Sequence, residues 1–290
     1  MEFHYPAAFA TLQAWATENR FSSDDARVRF AQYAILRAIA TSNALRPVLV
    51  FKGGNALDFV WQANRSTRDL DFSADASAQS FSPESLQTHL TPALRSSTQL
   101  LGVLLKIHRI EQQPPGSTKT FITYTINIGY ALPDETKLRE RVEKGRPSPN
   151  VVPVDISINE PICEDRYIKI DDSHELRVST IEDIIAEKLR ALLQQPIRNR
   201  RRRQDLLDIA VTLQSHPGID RRNVAQFLLT KAEARNVHVS RSAFHEPGVT
   251  QRAKQDYEEL RADARDVFVP FDAALEALNT FVDELNIPDA

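Results

Sequence analysis

Asp69 and Asp71 stand two residues apart, downstream of a glycine pair, in the segment KGGNALDFVWQANRSTRDLDFS at residues 52–73. On a strand, residues two apart project from one face, so both carboxylates share it while Leu70 turns to the core. Two carboxylates on one face suit a magnesium or manganese ion that keeps several waters and takes phosphate oxygens as well. Ions so placed can clamp the attacking and leaving oxygens of phosphoryl or nucleotidyl transfer. Gly53 and Gly54 let the backbone approach a triphosphate closely, and a helix starting there adds a favourable partial charge. An isolated pair of aspartates also fits a solvated turn, and a glycine pair alone says less. The order strand, glycine pair, helix, strand with two acids is what favours a functional site. Arg65 and Arg68, just before the acids, fit either triphosphate contacts or ordinary loop charge.

A third carboxylate is expected on a neighbouring strand, and Asp155 in VPVDISI is the candidate. It interrupts an apolar strand on the face opposite Val154 and Ile156. A half-buried carboxylate is costly unless it is paired or on metal, although a structural aspartate is the alternative. Further along, STIEDIIAEKLRALLQ at residues 179–194 places Lys188 on the apolar stripe formed by Ile181, Ile184, Ile185, Leu189 and Leu192. A lysine there either snorkels outward or reaches a polar cleft, where it could serve as a point charge for phosphates. Ser179 with Glu182 fits a capping box for this helix. In RNRRRRQDLLDIAVTL, Asp205 and Asp208 share one side of a helix whose Leu206, Ile209, Ala210 and Leu213 face the core. These acids may be read as orienting arginines or a catalytic lysine, or as a helix-start preference. Arg198, Arg200, Arg201, Arg202 and Arg203 suit either the phosphates of a nucleic acid or a solvated loop.

The elements that must position these groups follow from pattern. Residues 7–44 read as helices, with Ser22 or Ser23 as an N-cap and an apolar series Val28, Phe30, Tyr33, Ile35, Leu36, Ile39. Pro47 ends that pattern, and Val48–Phe51 is a short buried strand. A helix is expected over 55–63 and a second strand over 69–73. Ser82 with Pro83 starts a helix over 82–95. Strands are expected at 101–110 and 120–128, joined by the turn-rich QQPPGSTK, and again at 151–158. Residues 133–150 read as an exposed loop or short helix. After Ser179 the pattern is helical almost to the end. The expected organisation is α+β: a mixed β-sheet with flanking helices over 1–175, then a helical part over 176–290 that completes the site.

The chain of 290 residues is long enough for a substantial core, and its 42% hydrophobic, 26% charged and 8% aromatic content is ordinary for a globular protein. A net charge of −3 gives no global attraction to nucleic acid, so any such contact must be local. Cys163 is the sole cysteine, which excludes an intramolecular disulfide and a thiolate zinc cluster and fits a reducing cytoplasm. The N-terminus lacks a signal-peptide pattern, and no apolar run approaches the ~20 residues that span a bilayer. A soluble, cytoplasmic protein with no membrane partner is expected.

Taken together the motifs resemble the AbiEii/AbiGii toxin family of nucleotidyltransferases, within the DNA polymerase β-like superfamily. The resemblance rests on Lys52-Gly53-Gly54-Asn55-Ala56-Leu57, on Arg65 through Asp69-Leu70-Asp71-Phe72, on Val154-Asp155-Ile156-Ser157, on Ala186-Glu187-Lys188-Leu189-Arg190 and on Asp205-Leu206-Leu207-Asp208. It covers residues 50–210; the family commonly has Thr or Ser where Asn55 stands. The resemblance implies the toxin half of a toxin–antitoxin or abortive-infection pair, with a cognate antitoxin as partner. It implies transfer of a nucleotide from an NTP to RNA, in some relatives the 3′ end of tRNA. Carried over residue by residue, Asp69, Asp71 and Asp155 would hold magnesium; Lys52, Gly53, Gly54, Asn55, Arg65, Arg68 and Lys188 would contact the nucleotide; and Asp205 would assist the centre. NTP-dependent modification of a protein, and a non-catalytic RNA- or protein-binding member of the fold, are the competing expectations.

Overall fold

The computed structural model describes residues 5–62, 67–75, 81–116 and 120–290. It divides into two compact units that interleave along the chain. One comprises residues 1–55, 68–159 and 166–178, and the other 56–67, 160–165 and 179–290. The last crossing, between Val178 and Ser179, lies near the boundary expected at 175, and four crossings precede it.

The first unit is built on a mixed seven-stranded sheet. Its strands are β1 (Leu49–Lys52), β2 (Leu70–Ala74), β3 (Leu104–Gln113), β4 (Thr123–Ala131), β5 (Val151–Ile158), β6 (Asp165–Lys169) and β7 (Glu175–Ser179), in the order β3-β4-β5-β2-β1-β7-β6. The β3·β4, β4·β5 and β1·β2 pairs are antiparallel, and β2·β5 and β1·β7 are parallel. Alternation decides which face is covered. Val152, Val154 and Ile156 on β5, and Ile126 and Ile128 on β4, are fully buried, while the residues between them are partly exposed.

Helices α1 (Leu12–Glu18) and α2 (Ser23–Thr41) precede the sheet, α3 (Gly53–Ala56) follows β1 and runs into a π-helical turn Leu57–Trp61, and α4 (Pro83–Leu101) and α5 (Thr136–Glu143) follow β2 and β4. Ser22 caps α2, accepting from the Asp25 amide, with Asp24 and Asp25 favourably placed in the first turn. α4 opens with a Ser82–Ser85 capping box and Pro83 at its first position, and packs against α2 and β3. The Ser97 hydroxyl, buried between the helices, donates to the Ala34 carbonyl at 2.6 Å.

The second unit is helical: α6 (Ile181–Leu193), α7 (Gln195–Arg198), α8 (Arg203–Ser215), α9 (Arg221–Ala234), α10 (Arg241–Phe244), α11 (Pro247–Lys254) and α12 (Phe271–Asp283). α6 packs on α8 and α9, and α8 on α12, around a core that includes Leu189, Leu206, Ile209, Leu228 and Phe281. Among the described residues no helix is long and apolar enough to cross a membrane.

The fold is the expected α+β, with corrections at element ends. α4 runs to Leu101 and stops at Gly102 in the left-handed conformation, so β3 starts at Leu104 rather than 101. β4 starts at Thr123 rather than 120. Ser179 does not cap α6: it ends β7, and the Thr180 hydroxyl accepts from the Asp183 amide instead. The strands β6 and β7 were not expected; they are short, and β6 carries the exposed Arg166, Tyr167 and Lys169 and reads as a polar loop.

Candidate active site

Strand register assembles the acids. In the parallel β2·β5 pair Asp71 lies beside Asp155, and in the antiparallel β1·β2 pair Lys52 lies opposite Asp71. Leu70, Phe72, Val154 and Ile156 fill the covered face, so Asp71 and Asp155 stand on the other one and are half-buried there. Asp69 immediately precedes β2 and is exposed.

The glycine turn meets Asp71 directly. Gly53 has φ 78°, a conformation that favours glycine, and a Cβ built on it would lie 2.5 Å from Asp71 Oδ2. The absence of a side chain at 53 is therefore what lets the Asp71 carboxylate occupy its position. Asp69 is held from behind: the Asn55 side-chain amide donates to its carbonyl oxygen, and Gln32 Nε2 donates to the neighbouring Arg68 carbonyl at 3.2 Å. Both amide side chains are buried. Asn55 was expected to reach phosphate; here its amide is given to the Asp69 carbonyl instead. The side chain at 55 points into the fold because it is fully buried.

Asp155 has one oxygen, Oδ1, that is buried and has no hydrogen-bond partner among the described residues. Burial pushes its carboxyl pKa up; a hydrogen bond from Thr125 opposes the rise, the Asp69 charge adds to it, and Lys52 opposes it again. Asp155 therefore feels both Asp69 and Lys52 electrostatically. These groups fit a hard divalent cation: the donors are all carboxylate oxygens, and one of them is a costly orphan that a cation would satisfy. Among the described residues no three or more His, Cys, Asp or Glu side chains are gathered so that together they could hold a metal ion as they stand. Asp71 and Asp155 are the pair that strand register sets side by side, and two carboxylates suit an ion that retains waters and takes phosphate oxygens. Arg68 is exposed. Arg65 lies outside the described residues.

The helical unit carries a second constellation. Lys188 does not snorkel. It is 5% exposed, and Nζ donates to Asp205 Oδ1 at 3.0 Å and to Asp208 Oδ2 at 2.6 Å. Asp208 is fully buried, so the ammonium and the two carboxylates compensate one another where water is excluded. The two acids lie on successive turns of one α8 face, as their spacing requires. The Asp208 carbonyl accepts the Thr212 hydroxyl, which in turn accepts from Gln62 Nε2 at 2.9 Å.

The arginine run divides. Arg201 pairs with Asp256, and Arg203 with Glu259 and the Asp256 carbonyl. Arg202 lies 3.6 Å from Asp205 Oδ2. Arg198 and Arg200 have no carboxylate partner among the described residues.

Sequence reasoning missed Gln32 and Thr125. Gln32 had a usable signal, a polar residue amid the core-facing positions of α2. Thr125 had none, because only the β4·β5 register sets it opposite Asp155.

The sequence pattern of the family described as nucleotidyl transferase AbiEii toxin, of type IV toxin–antitoxin systems, matches residues 34–277. No curated protein matches the chain. Among solved structures, a candidate nucleotidyltransferase from H. pylori is 16% identical with a TM-score of 0.48, the match covering 91% of this chain and 95% of that one. JHP933 from Helicobacter pylori is 14% identical with a TM-score of 0.39, covering 90% and 91%. The family match spans most of the sheet unit and most of the helical unit, including Asp69, Asp71, Asp155, Asp205 and Asp208. The chain belongs to the AbiEii nucleotidyl transferase toxin family of type IV toxin–antitoxin systems.

Proposed function

We propose that the protein transfers a nucleotide from an NTP to an RNA acceptor, the 3′ end of a tRNA, using magnesium or manganese held by Asp69, Asp71 and Asp155. The observation that carries this reading is the Asp71–Asp155 register, with Gly53 against one carboxylate and an orphan oxygen on the other. When bound, the divalent ion would neutralise charge on the phosphates.

The chain's own residues do the rest. The backbone at Gly53-Gly54, which carries no side chains of its own, accepts the triphosphate, and Lys52 and Arg68 add positive charge beside it. The acceptor hydroxyl is activated beside Asp155, gives up its proton to solvent and attacks the α-phosphorus. The bond to the bridging oxygen breaks and pyrophosphate leaves. Positioning and charge neutralisation supply most of the acceleration. Asn55 and Gln32 act as positioning residues for Asp69. In the helical unit, Asp205 and Asp208 fix Lys188 in a charge-compensated cluster that holds that unit's fold. A cognate antitoxin is the proposed protein partner, and an RNA acceptor of this kind places the activity in the cytoplasm.

The test is direct. Wild-type protein with each α-labelled NTP, magnesium and bulk tRNA should label the RNA, and Asp69→Ala should abolish labelling. Equal labelling by the variant would sink the assignment. Label on protein rather than RNA, or transfer from γ-labelled NTP only, would replace it with modification of a protein.

A further inference from the structure

The arginine run is held by the fold as a set loop between two helices. Gln195, fully buried at the start of α7, pins it: Nε2 donates to the Leu192 and Val249 carbonyls, Oε1 accepts from the Arg202 amide at 2.8 Å, and its carbonyl accepts from the Arg200 amide at 3.1 Å. Asn199 turns the chain in the left-handed conformation, its side chain accepting from Arg252 at 2.7 Å. A loop fixed this firmly presents its side chains in defined directions.

Those directions sort the arginines. Arg201 and Arg203 turn to Asp256 and Glu259 and are spent on holding that segment. Arg198 and Arg200 are exposed and lack a carboxylate partner among the described residues. Behind them, Arg235 is held by Glu160 and Arg190 by Glu187 and Gln194. The Arg198 guanidinium pKa is lowered by burial first, then by the charges of Arg235, Arg190, Arg200 and Arg202. Arg198 and Arg200 thus add positive charge beside guanidinium groups already held by carboxylates, within a chain of net charge −3. Like charges gathered this way oppose folding, and a polyanion relieves them. Guanidinium forks match phosphate oxygens two at a time.

We propose that Arg198 and Arg200, backed by Arg202 and Arg235, form the surface on which the phosphodiester backbone of RNA docks, while Arg201 and Arg203 serve the fold of the loop. The proposal rests on the reading of RNA as acceptor and adds where the helical unit grips it. Because contacts are to phosphates, they position the RNA and do not select its sequence.

Equilibrium binding of a fluorescent tRNA to the full chain, across a potassium chloride series, tests this with a readout other than activity. Each phosphate contact contributes about 0.7–0.9 to the slope of log affinity against log salt. Arg198→Ala with Arg200→Ala should lower the slope by about 1.4–1.8 and weaken different tRNAs alike. Arg201→Ala with Arg203→Ala should leave the slope unchanged while lowering the melting temperature. Equal slope losses in the two double variants, salt-independent binding, or displacement of tRNA by inorganic triphosphate at constant ionic strength would overturn the proposal. If wild type labels RNA but the first double variant keeps the full slope, the docking surface fails and the transferase reading stands. If wild type transfers nothing yet binds RNA with the expected loss, the reverse holds.

Discussion

Gly53→Ala separates the two reasons a glycine is needed at the turn. With φ at 78°, any side chain pays a left-handed backbone penalty of roughly 1–2 kcal/mol, partly offset by a stiffer unfolded chain. That alone predicts a melting temperature lower by about 2–4 °C. The second effect is local. The new methyl would lie 2.5 Å from Asp71 Oδ2, whereas ordinary contact begins at 3.4 Å, so the carboxylate must retreat by most of an ångström. Displacement on that scale costs on the order of a hundredfold in rate at a reacting centre, equivalent to about 2.7 kcal/mol of barrier. Gly145→Ala is the matched control: its φ is 80°, and nothing lies within 4 Å of the added Cβ. The assay is initial rate of nucleotide transfer to tRNA beside thermal denaturation of both variants. Expected are similar small losses of stability, with the rate falling only in Gly53→Ala. A Gly53→Ala protein as active as Gly145→Ala would refute the argument that Gly53 sets the position of Asp71.

Asp155→Asn should abolish transfer while stabilising the protein at neutral pH by about 1 kcal/mol, since it removes a buried, incompletely bonded carboxylate charge. The fold raises the proton affinity of Asp155, so its cost is absent below the unfolded value and grows as pH rises through the folded one. The melting advantage of the variant should therefore shrink in acid, and a constant advantage from acid to neutral pH would contradict this. Magnesium should raise the melting temperature of wild type and not of Asp155→Asn. Lys188→Met leaves Asp205 and Asp208 without their ammonium, one of them fully buried, and should cost about 3–5 kcal/mol in urea denaturation. Adding Asp208→Asn should recover part of that loss, and a second substitution that worsens it would argue against a compensated cluster.

Where the sequence was legible, local physics was sufficient. The β5 span 151–158 follows from alternation alone, and the α4 start from Ser82 and Pro83. Ends were less legible because they depend on competition between neighbours: α4 extends until Gly102 permits a left-handed stop, and this displaces β3. The cap of α6 fell on Thr180 because Ser179 was already committed to a strand that local pattern did not reveal.

By itself, the sequence determined which groups were available and on which face of its own element each would stand, because side-chain direction repeats every two residues on a strand and roughly every 3.6 on a helix. That was enough to set Asp71 and Asp155 against their apolar neighbours and to put Lys188 on a core-facing stripe; Asp69, expected on the strand beside Asp71, lies just outside β2. Only tertiary structure decided pairings between elements. The register that sets Asp71 beside Asp155, the approach of Gly53 to a carboxylate, the closure of Lys188 on Asp205 and Asp208, and the division of the arginines into paired and unpaired all join residues distant in the chain. Such contacts are fixed by how buried surfaces pack together, and that information is spread over whole elements instead of residing in any one motif.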